Sequence, residues 1–159
     1  MTSPFRDTAG LIATLESGAK MIVGLVREVP PANLKRRPAP EKWSAHEHAC
    51  HIATVHPLFL GRLDQMLRAE KPRVIPYEPG DEAPDMLLKM DLDAALERYA
   101  RERTEIIQRI RPLTPAQWAR TGEHAEFSHY SVFIMFRHLA LHDMLHAYRI
   151  EDLAFKKDW

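Results

Sequence analysis

The spacing of the prolines constrains the fold of this chain more than any other feature of its sequence. Eleven of the twelve prolines lie near the start, in segments 30–40 and 72–84, and at 112–115. Proline lacks a backbone N–H and clashes with the preceding helical turn, so it rarely occurs inside a helix. The intervals between these positions are long enough for helices of about twenty residues.

Apolar residues recur in those intervals every three or four positions, which is the pattern of helices with one buried face. The second of these helices begins with Ser44-Ala45-His46-Glu47, a capping box, and contains Pro57, at which we expect a kink. A short helical turn begins at Thr114 for the same capping reason. The four long helices are predicted at Thr8 to Glu28, Ser44 to about Arg68 or Ala69, Asp91 to Arg111, and Ser131 to about Leu153.

Four helices of this length predict an all-α protein, a four-helix bundle formed by a single domain over residues 1–159. The long connections before the second and third helices permit a topology other than simple up-down-up-down. Segment 70–90 is predicted to be a long loop held by Val74, Ile75 and Tyr77, and is a candidate lid or partner surface. The stretch from Gly122 to Tyr130 is expected to be irregular.

The composition argues against several classes of protein. Lysine plus arginine and aspartate plus glutamate both number 22, so the chain lacks the positive charge that drives binding to nucleic acids or anionic membranes. Lys35-Arg36-Arg37 is a short basic cluster and is interpreted as a solvated loop. The single cysteine excludes an internal disulfide. With no signal peptide or membrane span recognised, we expect a cytoplasmic protein.

Nine histidines carry the functional argument. His138, His142 and His146 follow one another at four-residue spacing, so they share one face of the fourth helix. Two imidazoles one turn apart can bind the same metal ion. The second helix offers His46, His48, His51 and His56, of which His51 lies near the inward edge of the helix. From the spacing alone, interior or rim histidines that are hydrogen-bonded to the backbone or to acidic neighbours are the simpler interpretation.

Two segments resemble the DinB-like family. KWSAHEHACHIATVH, residues 42–56, is similar to the start of that family's second helix, in which a single histidine, here His51, follows the tryptophan by eight residues. FRHLALHDMLHAYRI, residues 136–150, is similar to its last helix, in which a His-Asp pair, here His142 and Asp143, is followed by a further histidine, here His146. Thr54 and His56 occupy places that are often acidic in the family, and Arg149 replaces a frequent glutamine.

The resemblance implies a four-helix bundle that holds a divalent metal ion, zinc or nickel, through His51, His142 and His146, commonly as a homodimer. It also implies a small-molecule substrate, with a low-molecular-weight thiol among the possibilities. The reaction would be hydrolysis, or thiol-dependent transfer or isomerisation. A non-catalytic metal-binding stress-response module that acts through a dimer or partner surface is the alternative.

Two further residues are candidates for catalysis. Arg149 lies three residues beyond His146 on the same face and could attract an anionic substrate, or could pair with Glu151 or Asp143. His138 could act as a proton shuttle, or could be an ordinary rim histidine. Asp143 is a candidate to orient a histidine.

Residues of the second helix have plainer interpretations. Glu47 is favoured as a cap over a general base, and Cys50 as a buried apolar side chain over a nucleophile. Trp43 is expected to pack where the second helix begins. His124 and His129 could reach the mouth of the site.

Overall fold

The structure is a computed structural model that describes residues 7–74, 76 and 85–159. Ile75 and Tyr77, which we expected to hold the long loop, lie outside the described residues, whereas Val74 is buried. The helices are α1 (Thr8–Glu28), α2 (Ala45–Thr54), α3 (His56–Arg68), α4 (Met86–Lys89), α5 (Leu92–Ile110), α6 (Pro115–Trp118) and α7 (Val132–Ala154). A 3-10 turn at Pro31–Asn33 and two short strands, β1 (Thr121–Gly122) and β2 (Tyr130–Ser131), complete the described structure.

The ends of the long helices follow their capping residues. Asp7, Asp91 and Ser131 each accept a hydrogen bond from a backbone N–H of the first turn of their helix. The capping box is present at the start of α2, where Ser44 and Glu47 bond reciprocally. These local hydrogen bonds explain why the bounds predicted for the first, third and fourth helices differ from the observed ones by at most one residue.

The prediction of one continuous, kinked second helix was wrong, because the helix is interrupted at Val55. Pro57 has no N–H to give to the carbonyl of Ala53. The chain tightens instead, with Leu58 N bonded to Val55 O at 3.1 Å and the Thr54 hydroxyl bonded to His51 O at 2.7 Å. The two halves, α2 and α3, together occupy the place of one bundle helix.

Two connections are more regular than we expected. The predicted loop 70–90 contains α4, and the stretch predicted to be irregular begins and ends in a strand pair, with Thr121 opposite Ser131 and Gly122 opposite Tyr130. The residue after β1 also bonds to a segment distant in sequence, since the Glu123 N–H bonds to Pro72 O and the Val74 N–H to Glu123 O.

The four bundle helices have a topology other than simple up-down-up-down, in agreement with the prediction. Helix α1 packs mainly against α5 and α7, and α2 also packs mainly against α5 and α7. Consecutive helices α1 and α2 are therefore diagonal to one another, whereas in the simple topology they would be neighbours. Helix α1 is long and apolar enough to cross a membrane, but core helices of bundles pass the same test, and six of its side chains are buried against the other helices.

The core consists of two apolar clusters with a polar layer between them. One cluster contains Leu15, Leu63 and Phe136, and the other contains Ile22, Ile52 and Ile150. The layer between them holds Arg103 from α5, His56 from α3 and Asp143 from α7, all less than 4% exposed. Arg103 is the centre of this layer, since it contacts both His56 and Asp143.

Candidate metal centre

Three histidines converge where α2 packs against α7. His142 Nε2 lies 3.1 Å from His51 Nε2 and 3.1 Å from His146 Nε2, and one ligand atom from each of the three residues lies within 4.8 Å of the other two. The structure thus brings together the three residues for which the sequence and the family resemblance predicted a shared site. They come from positions 51, 142 and 146, so the packing of two distant helices creates the cluster.

The spacing of these nitrogens suits a metal ion. Zinc binds imidazole nitrogen at about 2.0–2.1 Å, and tetrahedral coordination then separates the nitrogens by about 3.3 Å. The two observed separations of 3.1 Å are close to this value. With a cation at the centre, the Nε2 lone pairs of His51, His142 and His146 can all point inward. Without a cation, His51 and His146 would both have to donate to the single lone pair of His142 Nε2.

All three side chains are held in the neutral form, which is the form that binds a metal. Burial, followed by the nearby histidines, lowers the pKa of His51 to about 4 and that of His146 to about 2. Burial also lowers the pKa of His142, although neighbouring Asp143 opposes this. At neutral pH the lone pairs are consequently available without loss of a proton.

A fourth histidine, His48, supports the cluster from outside. Its Nδ1 lies 2.8 Å from His146 Nδ1. When His146 Nε2 faces a cation, its ring proton resides on Nδ1 and is donated to His48, as metal-bound histidines usually require. His48 lies three residues before His51, on a neighbouring part of the same helix face, but this spacing does not by itself indicate a contact with His146.

Trp43 covers the cluster at the start of α2. Its ring lies 4.8 Å from that of His51, 5.5 Å from that of His48 and 6.1 Å from that of His146, measured between ring centres. The tryptophan thus packs where we expected and, in addition, limits the movement of three imidazoles.

The two candidate catalytic residues lie on either side of the cluster along α7. Burial of His48 lowers its pKa to about 4, and the positive charge of Arg149 is the next largest cause. The side chain of Arg149 is exposed. Its suggested pairing with Asp143 is wrong, because Asp143 is buried and lies 2.7 Å from Arg103 NH1. His138 directs its ring toward Phe127, at 4.9 Å between ring centres. The catalytic roles of Arg149 and His138 stay predictions.

Asp143 does not have the role we suggested for it, since its carboxylate pairs with Arg103. Glu47 caps α2, and its carboxylate also accepts from Arg37 Nε at 2.9 Å. Cys50 is fully buried, and burial raises the pKa of its thiol to about 11, so it behaves as an apolar side chain. Burial lowers the pKa of His46, and the backbone groups of Leu87 and Met90 oppose this.

The basic cluster of the first loop is not a free patch. Arg37 pairs with Glu47 and Asp85, Lys35 donates to Leu88 O at 2.8 Å, and Arg36 lies over the Trp159 ring at 4.9 Å. All three cations make contacts within the chain.

Residues 14–150 match the family model of the DinB superfamily. Among solved structures, YfiT from Bacillus subtilis, described as a probable metal-dependent hydrolase with an unusual four-helix bundle topology, superposes with a TM-score of 0.86 at 19% identity, covering 99% of this chain and 91% of that one. A DinB-like protein from the same organism, YjoA, superposes with a TM-score of 0.64 at 16% identity, covering 91% of this chain and 90% of that one. At these identities the superpositions show the fold. No curated protein sequence matches this chain significantly.

Proposed function

The chain belongs to the DinB superfamily, and from this premise we propose that it is a metal-dependent enzyme that acts on a small molecule at the centre formed by His51, His142 and His146. The observation that carries the proposal is the approach of three neutral imidazole nitrogens, two of the contacts being 3.1 Å. Imidazole ligands suit zinc or nickel, and three of them leave a coordination position for water or substrate.

Among the reactions compatible with such a centre we favour hydrolysis. His51, His142 and His146 would hold a divalent ion through neutral ligands, and the ion would supply acidification of a bound water and polarisation of a carbonyl group. YfiT, which shares the fold, is described as a probable metal-dependent hydrolase. Thiol-dependent transfer or isomerisation is the second candidate reaction.

The surrounding residues have separate tasks in this proposal. His48 and Trp43 keep His146 and His51 in position, as their 2.8 Å and 4.8 Å contacts indicate. Arg149 attracts an anionic group of the substrate, since its exposed guanidinium lies near enough to His48 to lower the pKa of that residue. His138, one helical turn before His142, moves a proton to or from the reacting group.

The metal content of untagged protein tests the centre. We expect about one zinc or nickel ion per chain in the wild type and less than a tenth of that in His142→Ala, with His129→Ala, an exposed histidine, unchanged. Hydrolysis of a panel of small amides and esters by the loaded protein then tests the activity. A metal ion bound in full coordination, without turnover, would favour the non-catalytic metal-binding module.

We also propose that the protein is a homodimer formed through an apolar face of α1 and α7. Met21, Leu141, Met144, Leu145 and Tyr148 are each at least 48% exposed. Together they present on the order of 500 Å² of apolar surface, near the upper end for the largest patch of a monomer and more than half of what one partner buries in a standard interface. The zero net charge means that two copies do not repel one another.

Sedimentation equilibrium tests this interface directly. Leu145→Glu places a charge in the centre of the face, and we expect it to convert the dimer to a monomer. The control is Gln65→Glu, at an exposed position of α3. A wild-type protein that sediments as a monomer at micromolar concentration would refute the dimer.

A further inference from the structure

A cluster of aromatic rings and imidazoles lies one helical turn from the metal centre. Phe127 is surrounded by His124 at 4.7 Å, His138 at 4.9 Å and Tyr130 at 6.2 Å between ring centres, and its ring is nearly parallel to that of Tyr130, at 12°. Tyr130 is buried, whereas Phe127 is 44% exposed. One aromatic side chain is therefore held firmly in place while part of its surface remains available for contact.

A cavity of about 510 Å³ opens beside this ring. Its lining includes Phe127, Tyr130 and His124, together with the hydroxyl-bearing Thr121 and Ser128. The volume falls within the range of small-molecule sites, and the lining combines the Phe127 and Tyr130 rings with a larger share of polar surface. Phe127 offers a ring for stacking, and the polar side chains offer hydrogen bonds to the edge of a bound ring.

The walls of the cavity are formed before any ligand binds. The Glu123 N–H bonds to Pro72 O at 2.9 Å, and the Val74 N–H bonds to Glu123 O at 2.8 Å. The segments that contain Gly122 and Val74 approach so closely that a Cβ on Gly122 would lie 2.7 Å from Val74 Cγ2. Lys71, which also lines the cavity, has a φ of 45°, a left-handed conformation that is rare for residues other than glycine and that often occurs at functional sites.

The charges around the cavity balance. Lys71 contributes one positive charge and Glu123 one negative charge. Burial, followed by the charge of Arg62, lowers the pKa of His124, so this imidazole is neutral at neutral pH. An uncharged ligand suits such a lining better than an anion or a cation.

His138 connects the cavity to the metal centre. Its ring contacts Phe127, and its backbone lies four residues before His142, a rise of about 6 Å along α7. The Phe127 ring thus contacts both the cavity and a side chain that lies one helical turn from His142.

We propose that this cavity is the aromatic subsite of the metal centre and that it binds an uncharged planar ring carrying a polar group at its edge. The assignment of the ring to the substrate rests on the proposed function, but binding of the ring does not. Phe127 stacks on the bound ring, and His124, Thr121 and Ser128 contact its edge. The substrate class that follows is an ester or amide with an aromatic portion.

Binding of phenol, the uncharged aromatic probe, to the metal-loaded protein tests the subsite. The titration is followed by NMR at the ring protons of His124 and His138, with cyclohexanol as the saturated counterpart. We expect phenol to shift both imidazoles and to bind at least fivefold more tightly than cyclohexanol. Equal binding of the two alcohols, or no shift with phenol, would overturn the proposal.

Variants at Phe127 give the matched comparison. Phe127→Ala and Phe127→Leu should each weaken phenol binding at least about fivefold, because both remove the ring and the second retains apolar bulk. Phe127→Tyr should bind as the wild type does. Phe155→Ala, which removes another exposed phenylalanine at the end of α7, is the control and should leave binding unchanged. Unchanged binding by Phe127→Leu would refute stacking.

The same titration of His142→Ala protein separates this inference from the proposed function. If phenol still binds to the His142→Ala protein and the wild type hydrolyses none of the amides or esters, the subsite is supported and the proposed function fails. Turnover by a wild type that does not bind phenol would refute the subsite alone.

Discussion

Replacement of Arg103 by methionine should destabilise the protein more than any surface substitution. Arg103 NH1 lies 2.7 Å from Asp143 Oδ2 and donates to Leu15 O at 2.9 Å, while NH2 donates to His56 Nε2 at 2.9 Å. One side chain of α5 thus contacts α1, α3 and α7. The layer lies between the two apolar clusters, and the side chains of Arg103, His56 and Asp143 are almost fully buried there.

The size of the effect follows from what methionine leaves behind. Asp143 would stay buried at 3% exposure without its cation, and His56 at 0% exposure would lose its donor. Removing one partner of a buried ion pair costs about 3–5 kcal/mol. For a chain of this length each kcal/mol lowers the melting temperature by about 2–4 °C, so we expect a decrease of roughly 6–20 °C.

Urea unfolding followed by circular dichroism measures this loss. Arg101→Met, at an exposed position of the same helix, is the control and should change the free energy of unfolding by less than about 0.5 kcal/mol. The double variant Arg103→Met with Asp143→Leu should recover at least half of the loss, because it removes both charges. A loss below about 1 kcal/mol in Arg103→Met, or a double variant no more stable than the single one, would refute the reasoning.

Three further outcomes are expected. His48→Phe should weaken zinc binding about 10–100-fold in a chelator competition, because His146 loses its acceptor, whereas His124→Phe should not; equal affinities would contradict this role. The pKa of His56 is about 3 in the folded state and about 6.5 in the unfolded state, so the free energy of unfolding should fall by about 2 kcal/mol between pH 7 and pH 5. His56→Asn should remove this part of the acid sensitivity, as measured by urea unfolding at each pH. An unchanged pH profile in this variant would contradict the prediction. Ser44→Ala should cost about 0.5–2 kcal/mol in thermal unfolding through loss of the α2 cap, and no change would show that the cap contributes nothing.

The amino-acid sequence alone determined the positions and ends of the long helices. Capping side chains bond to backbone groups within the next three residues, prolines act on the adjacent turn, and the apolar stripes repeat within each helix. These interactions join residues close in sequence, so their outcome can be worked out locally. The interruption at Val55 was missed because the choice between a kink and a break depends on how α2 and α3 pack.

Contacts between distant segments were decided only by the tertiary structure. Spacing indicated that His142 and His146 share a face, and the family resemblance pointed to His51, but their approach requires α2 to pack against α7. The role of His48 and the burial of Arg103 depend on the same packing. The role of a polar side chain such as Arg103 in an otherwise apolar stripe can be recognised only from its partners, which three other helices contribute.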